Sequence, residues 1–434
     1  VFLEFPGVGW HPARQQKPKP LSSEAGDRRM LRQRILPCLL ILAVIACSDE
    51  EPPTGGNAPV ATHVDTLGGA PHVVNSGAPE TWRLKEVMRL GSSATLTEPK
   101  PDEFGGVSSA SLGPDGRVYV ADWLNYEVRV FTETGEFQFS FGRDGEGPGE
   151  FGALYSLAWV GDTLLTLDFG VGRVGMFSPE GEWLGQYRFP GSVSGSGRLL
   201  RFYQTAPAEA YAWSLENTGS GLENVFIRYT LDGPQDTIPE FDVDPRPEST
   251  VICRHPEGSI HFWEIPFSPR VFQHPLQDRR RAVAISDDYR IAVIDEKGDT
   301  LRVVERRQDP IPASDEAWEK GLEEYNEFRA ENPSASCEPR SLSKPALVPP
   351  IADLLSDPDG RLWVQAETPE GRYWEVFDTA GALTGRVPDF PRGERTVPQF
   401  RGNRIVNVAT DSLGVDQVHL YRIIVPQDGN DRSG

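Results

Sequence analysis

Residues 141–151 read "FGRDGEGPGEF", four glycines and three acids between two aromatics. Glycines packed this closely can cradle a phosphate on backbone amides. A phosphate loop, however, needs Lys and Ser/Thr after its glycines. Here Gly147 is followed by Pro148, Gly149 and Glu150. Pro148 removes one amide donor, and Glu146 and Glu150 repel a phosphate. No helical periodicity follows. The stretch is therefore read as a hinge between structural units. Histidines offer the next chemistry. His63, His72, His255, His261, His274 and His419 follow residue 46, and none forms an HxH or HExxH pair. His255 and His261 stand close, and a packing or surface role is expected for both. No catalytic residue, cofactor motif or metal-ligand set is assigned.

Asp122 and Asp168 recur at one spacing. Such acids can line a central channel and hold a cation or small ligand. They can equally cap turns by accepting backbone N–H bonds, the reading preferred here. Cys253 and Cys337 are the cysteines after residue 47. They lie in irregular parts of the chain and either pair or stay as free thiols. No C-x-x-C spacing suggests zinc.

Stepping outward to the elements, the chain repeats. "PDEFGG" at 101–106 matches "PGEFGA" at 148–153, and "VRVFTETGE" from Val128 matches "VGMFSPEGE" from Val174. The pattern of an apolar residue, then an aromatic or Ile three on, then Gly four further, recurs. Its copies are Val128/Phe131/Gly135, Val174/Phe177/Gly181, Phe226/Tyr229/Gly233, Ile291/Ile294/Gly298 and Trp374/Phe377/Gly381. Val418/Tyr421 is a sixth copy without its glycine. Alternation before each aromatic reads as strand. The glycine supplies a turn conformation that other residues avoid. "GPDGRVYV" at 113–120 and "SDPDGRLWV" at 356–364 mark further turns, with Pro second and Gly fourth as in type I. Units of three or four antiparallel strands, six times over, define an all-β chain and a six-bladed β-propeller. "TWRLKEVMRLG" at 81–91 is a spare strand expected to pair with 415–425 and close the ring. The propeller thus spans 81–425, with 426–434 as a disordered tail.

The fourth and fifth intervals between aromatics are long and call for insertions. One lies between 305 and 345. There an amphipathic helix is predicted over 314–330, capped by Ser314, with Trp318, Leu322, Tyr325 and Phe328 on one face. It is expected to pack on a blade edge, the sharper alternative being a lid over the propeller mouth.

"GRVYVADWLNYEVRVFTETGEFQFSFG" with the following "GEGPGEF" resembles an NHL repeat of the TolB-like six-bladed propellers. The matching residues are Val120, Asp122, Asn125, Val128, Val130, Phe131, Gly135 and Gly142. The next unit keeps Asp168, Val174, Phe177 and Gly181, with Gly172 near the expected asparagine. The resemblance covers 104–190 in detail and the remainder in architecture only. Related propellers such as the peptide-amidating lyases use a metal, with histidines in or near the channel. No residue here matches theirs one by one. "SDPDGRLW" at 356–363 also resembles the Asp-box of sialidases, but Pro358 stands where that box has aspartate. Asp357-x-Asp359-Gly360 lacks the further ligands of a calcium loop and reads as a turn.

The amino-terminal segment reads as an address. From Met30 the chain runs "MLRQRILPCLLILAVIACSDE". Arg32 and Arg34 precede an apolar run, 35–45, too short to span a bilayer as a helix. Ala46 before Cys47 resembles a bacterial lipobox, which implies acylation of Cys47 after removal of 30–46. Ser48 after the cysteine favours the outer membrane. Residues 1–29 read as an over-extended start. Residues 47–80 read as a tether with a possible short hairpin around Gly68 and Gly69. The whole chain carries a formal charge of −21, and the first 46 residues are basic, so the body is more acidic still. An acidic body repels nucleic acid and anionic lipid, which leaves the lipid as its membrane link. The expected function is that of a monomeric, exported, membrane-anchored scaffold in the bacterial cell envelope. It would bind a protein, peptide or glycan. The alternative is a metal-dependent lyase or hydrolase working in the channel.

Overall fold

The computed structural model describes residues 60–92, 100–190, 201–217, 222–243, 248–393 and 396–426. Cys47, the apolar run, most of the tether and the carboxyl-terminal tail lie outside the described residues.

The turn chemistry builds the blades. After the aromatic or Ile of the first five motif copies comes Thr, Ser or Asp, whose side-chain oxygen accepts a backbone N–H in the turn. Thr132 accepts from Glu136 at 3.0 Å, Ser178 from Glu182 at 3.3 Å, Asp295 from Asp299 at 2.9 Å and Asp378 from Ala382 at 2.9 Å. The glycine that follows takes φ of 80–94° at positions 135, 181, 233, 298 and 381. A bulge opens beside each aromatic, as at Val130/Phe131 and Met176/Phe177. A type I turn followed by a left-handed glycine and a bulge is a preferred way to join twisted antiparallel strands.

Five four-stranded antiparallel sheets result, and a sixth whose four antiparallel blade strands are extended to six by two strands from the amino-terminal side. Blades 1 to 5 run in chain order over 107–141, 154–188, 202–239, 271–306 and 351–388. In each the first strand is innermost and touches the first strand of its neighbour. Blade 6 takes three strands from 399–424 and its fourth from the other end of the chain. The first strands among the described residues are β1 (Ala61–Leu67), β2 (Ala70–Ser76) and β3 (Arg83–Leu90). β3 pairs antiparallel with Asp416–Ile424, Leu90 opposite Val418 and Arg83 opposite Ile424. This explains the missing glycine of the sixth motif, because Tyr421 ends no hairpin.

Apolar side chains fill the wedges between blades. Tyr119 and Val130 of blade 1 meet Trp159 and Phe177 of blade 2, all buried. Trp363 and Trp374 of blade 5 meet Phe400 and Tyr421 of blade 6. Serines stitch neighbouring inner strands. Ser109 Oγ accepts from Leu157 N at 3.2 Å, and Ser156 Oγ accepts from Phe202 N at 2.9 Å.

The structure departs from the sequence reading at three places. Residues 60–76, assigned to the tether region, belong to the body. β1 and β2 form a hairpin around Gly68–Gly69, and β2 adds in parallel to the outer strand of blade 4. The helix expected over 314–330 is two helices, α1 (Asp315–Gly321) and α2 (Glu323–Glu331), broken at Leu322. Ser314 caps α1, its Oγ accepting from Ala317 N at 3.1 Å. Gly321 lies where a Cβ would sit 2.6 Å from Pro266, so close approach rather than helix propensity selects it. Finally, the helices pack on an insertion sheet rather than on a blade edge. Leu322, Tyr325, Trp318 and Phe328 cover a separate three-stranded sheet formed by Thr250–Arg254, Ile260–Glu264 and Ser336–Glu338. That sheet unites two insertions, one on each side of blade 4. Cys253 and Cys337 are register partners in it and are joined at an S–S distance of 1.97 Å.

Two changes test this reading of the fold. Deleting 81–91 strips blade 6 of its outer strand and is expected to lower the thermal midpoint of the whole body. A deletion variant that melts like wild type contradicts closure by β3. Gly181 has φ +80° and a Cβ there would lie 2.5 Å from the Phe141 ring, whereas at Gly172, φ +68°, nothing lies within 4 Å. Both alanine variants carry backbone strain of about 1–2 kcal/mol. Gly181→Ala adds overpacking of about 1–3 kcal/mol, so urea denaturation should rank it clearly below Gly172→Ala.

Candidate functional site

The repeated acids are structural. Asp122 is fully buried and accepts from the backbone N–H groups of Gly105 at 3.0 Å and Gly106 at 3.1 Å, with Asn125 Nδ2 at 2.8 Å. Asp168 accepts from Gly152 at 3.1 Å and Ala153 at 2.8 Å. Where Gly172 replaces the asparagine, the Arg173 guanidinium stands 3.3 Å from Asp168. Each acid therefore fastens the loop that enters its own blade. Asp357 instead secures the turn between the first two strands of blade 5. It accepts from the N–H groups of Asp359 and Arg361, both at 3.0 Å, and from Trp363 Nε1 at 2.8 Å. Pro358 occupies a turn position that needs no side-chain ligand.

The Gly-rich stretch also spends its polar groups internally. Gly147 N donates to Glu150 Oε2 at 2.8 Å, Arg143 Nε to Glu150 Oε1 at 2.8 Å and Phe151 N to Arg143 O at 2.8 Å. Phe151 then enters the core between blades 1 and 2. Gly142 has φ +99° and could carry no Cβ without striking Phe151.

The histidines scatter. His72 meets Glu305 at 2.9 Å and His419 meets Glu86 at 2.7 Å, both holding strands together. His261 stacks against Trp263 and Phe328 in the insertion sheet, and His255 lies at the turn of the same sheet. His274 alone of these lines a channel cavity.

That cavity measures about 260 Å³ and is bounded by the inner strands of blades 3, 4 and 5 and the segment entering blade 6. Arg201, Tyr203, Trp213, His274, Asp353 and Arg392 are among its lining residues. It lies towards the ends at which the inner strands begin. Deeper along the channel, Ser111 Oγ donates to Gln399 Oε1, and Gln399 Nε2 donates to Leu157 O at 2.7 Å. This tie binds blades 6, 1 and 2 across the bore.

Arg392 is held in place. Its NH1 donates to Asp353 Oδ2 at 2.5 Å and its NH2 to Gln365 Oε1 at 3.0 Å. Gln365 is in turn tied to Asp389 at 2.7 Å. Arg201 makes no hydrogen bond or ion pair among the described residues. His274 is almost wholly buried, with the Tyr203 ring edge-on at 4.9 Å between centroids. Its Nδ1 lies 2.9 Å from Pro275 O and 3.2 Å from Ser356 Oγ. Burial pushes the imidazole down to about 4, so it is neutral at pH 7. Among the described residues two guanidiniums then face one carboxylate. The cavity is locally cationic in a chain of formal charge −21.

Sequence reasoning missed Arg201, Asp353 and Arg392. They sit at the start of inner strands or in crossover segments, outside the hairpin motif that carries the repeat. Among the described residues no group of three or more His, Cys, Asp or Glu side chains is placed to hold one metal ion. No helix among them is long and apolar enough to cross a membrane.

Six blades around a polar, off-centre cavity define the class. A family model described as a 6-bladed β-propeller, DUF5128, matches residues 69–296, more than half of the chain, and the chain belongs to that family. No curated protein matches it. Among solved structures, one from Bacteroides fragilis described as an exported protein is 14% identical. It covers 79% of this chain and 96% of its own, with a TM-score of 0.40. A member of the DUF4221 family from Bacteroides vulgatus is 11% identical over 80% of this chain and 100% of its own, TM-score 0.39. Virginiamycin B lyase from Staphylococcus aureus is 11% identical over 80% and 100%, TM-score 0.31.

Burial of His274 has a measurable consequence. The unfolded imidazole titrates near 6.5 and the folded one near 4. The unfolded chain therefore binds the extra proton between those values. The stability that His274 contributes as a neutral group is full above about pH 6.5. It is lost as pH falls towards 4, by about 3 kcal/mol at most. Chemical denaturation from pH 7 to 4 should show this slope, and His274→Gln should flatten it. An unchanged slope in the variant contradicts a buried neutral imidazole.

Proposed function

We propose that this chain is an exported propeller, held to the bacterial outer membrane by a lipid on Cys47, that binds a ligand in the channel cavity without turning it over. The observation that carries the binding half is the cavity itself, with a fixed Arg392–Asp353 pair beside an uncommitted Arg201. Concave sites with a few placed polar groups and aromatic walls are the usual form of ligand pockets. The anchoring half is supported by the lipobox-like "AVIAC" at 43–47 and the acidic segment that follows. The finer kinship with NHL repeats is supported by the matched acid clamps at Asp122 and Asp168. A lyase or hydrolase reading needs converging metal ligands. His274 stands with a single carboxylate, Asp353, on the cavity wall.

Fractionation tests the anchor. The full chain expressed in a Gram-negative host should sediment with membranes, and Cys47→Ser should move it to the soluble fraction. A variant that still sediments removes the lipid reading. Capture from detergent-solubilised envelopes tests the cavity. Val271→Trp fills it from its rim. The variant should melt like wild type yet retain none of the material that wild type retains. Equal retention by both places binding elsewhere.

A further inference from the structure

The cavity's donors and acceptors specify a ligand class, an inference that rests on the binding role proposed above. Pro275 O can only accept, so at 2.9 Å the His274 Nδ1 must carry the proton. Ser356 Oγ is satisfied through the same carbonyl at 3.3 Å. Nε2 then carries the lone pair, no hydrogen bond to it is formed among the described residues, and His274 lines the cavity. An acceptor on a cavity wall can take a donor, and a ligand hydroxyl supplies one. Arg201 supplies the opposite need. Its guanidinium borders the same cavity with no carboxylate among the described residues to meet it. The Arg392–Asp353 pair is internally neutral, so among the described lining residues Arg201 leaves one net positive charge, which matches one negative charge. A guanidinium fork pairs best with a carboxylate or a phosphate, and a phosphate would bring more charge than one free arginine offsets. The Tyr203 and Trp213 side chains add ring surface to the wall. A cavity of about 260 Å³ lies below the roughly 300–1,000 Å³ of drug-sized sites. It admits one ring bearing substituents and excludes a folded peptide.

We propose that the cavity binds a sugar acid, one hexuronate ring whose carboxylate meets Arg201, whose hydroxyl donates to His274 Nε2 and whose apolar face lies against Tyr203. The ring is either a free monosaccharide or the end of an acidic polysaccharide, since the recognising atoms are the same.

Isothermal titration of the purified full chain with D-glucuronate, D-galacturonate, D-glucose and tetragalacturonate tests this. At least one uronate should bind at least tenfold more tightly than glucose. Arg201→Gln should abolish that preference without moving the thermal midpoint, because Arg201 holds nothing else in the described structure. His274→Phe should weaken the uronate as well, and its own melt reports whether it folds. Tetragalacturonate binding as tightly as the monosaccharide identifies a chain end as the ligand, and binding by the monosaccharide alone identifies the free acid. The proposal is overturned if neither uronate binds, if glucose binds equally well, or if Arg201→Gln leaves the preference intact. Absent uronate binding with envelope capture still sensitive to Val271→Trp overturns the sugar-acid assignment alone. Loss of both overturns the cavity as a binding site.

Discussion

A ring of blades must tie the strand that leads into its first sheet to its last sheet, and the hydrogen bonds that do so here run between β3 and Asp416–Ile424, inside blade 6. Without them blade 6 would have three strands, and the chain leading into blade 1 would not be fixed to it. Backbone pairing also fixes register, because a slip of one residue would turn Met88 and Leu90 away from the core they share with Val418 and Leu420. Other features follow from this closure. The sixth motif needs no turn glycine. The chain must reach blade 6 before it builds blade 1, so its entry segment, β1 and β2, is free to thicken blade 4 instead. Asn75 on β2 accepts from Leu383 N at 2.9 Å and donates to Gly381 O at 3.0 Å. It thereby helps to lock blade 4 to blade 5, beside the hydrogen bond from Arg302 NH1 to Thr379 O.

Closure also decides where the acids go. A buried carboxylate is costly unless several donors meet it. Asp122, Asp168 and Asp357 each meet three or more, two of them backbone N–H groups in the loop or turn they secure. Acids spent in this way are unavailable to the channel. This is why a strongly acidic chain can have a cavity with more guanidinium than carboxylate. Repetition in sequence marked the parts that make every blade alike, and a binding site lies where one blade differs from the others.

The same distinction explains what could be read in advance. The hairpin motif from Val128/Phe131/Gly135 onward depends on local chemistry, a turn cap and a left-handed glycine, and so it is visible in a short window. So were Ser314 as a cap and the shared face of Trp318, Leu322, Tyr325 and Phe328. The break at Leu322 was not, because Gly321 answers to Pro266, distant in sequence. The union of the two insertions into one sheet was hidden for a like reason, since Cys253 and Cys337 are 84 residues apart. The cavity was least legible of all. Arg201, His274, Asp353 and Arg392 come from four separate segments, and only the order of blades around the ring brings them to one wall.

The ring also fixes how that wall faces. Ala61 lies opposite Ser76, and Asn75 lies beside Arg306. The chain therefore enters blade 4 at the end where its outer strand leaves. Outer strands finish, and inner strands begin, on the face where the cavity opens. The two insertions branch from crossovers on that face as well.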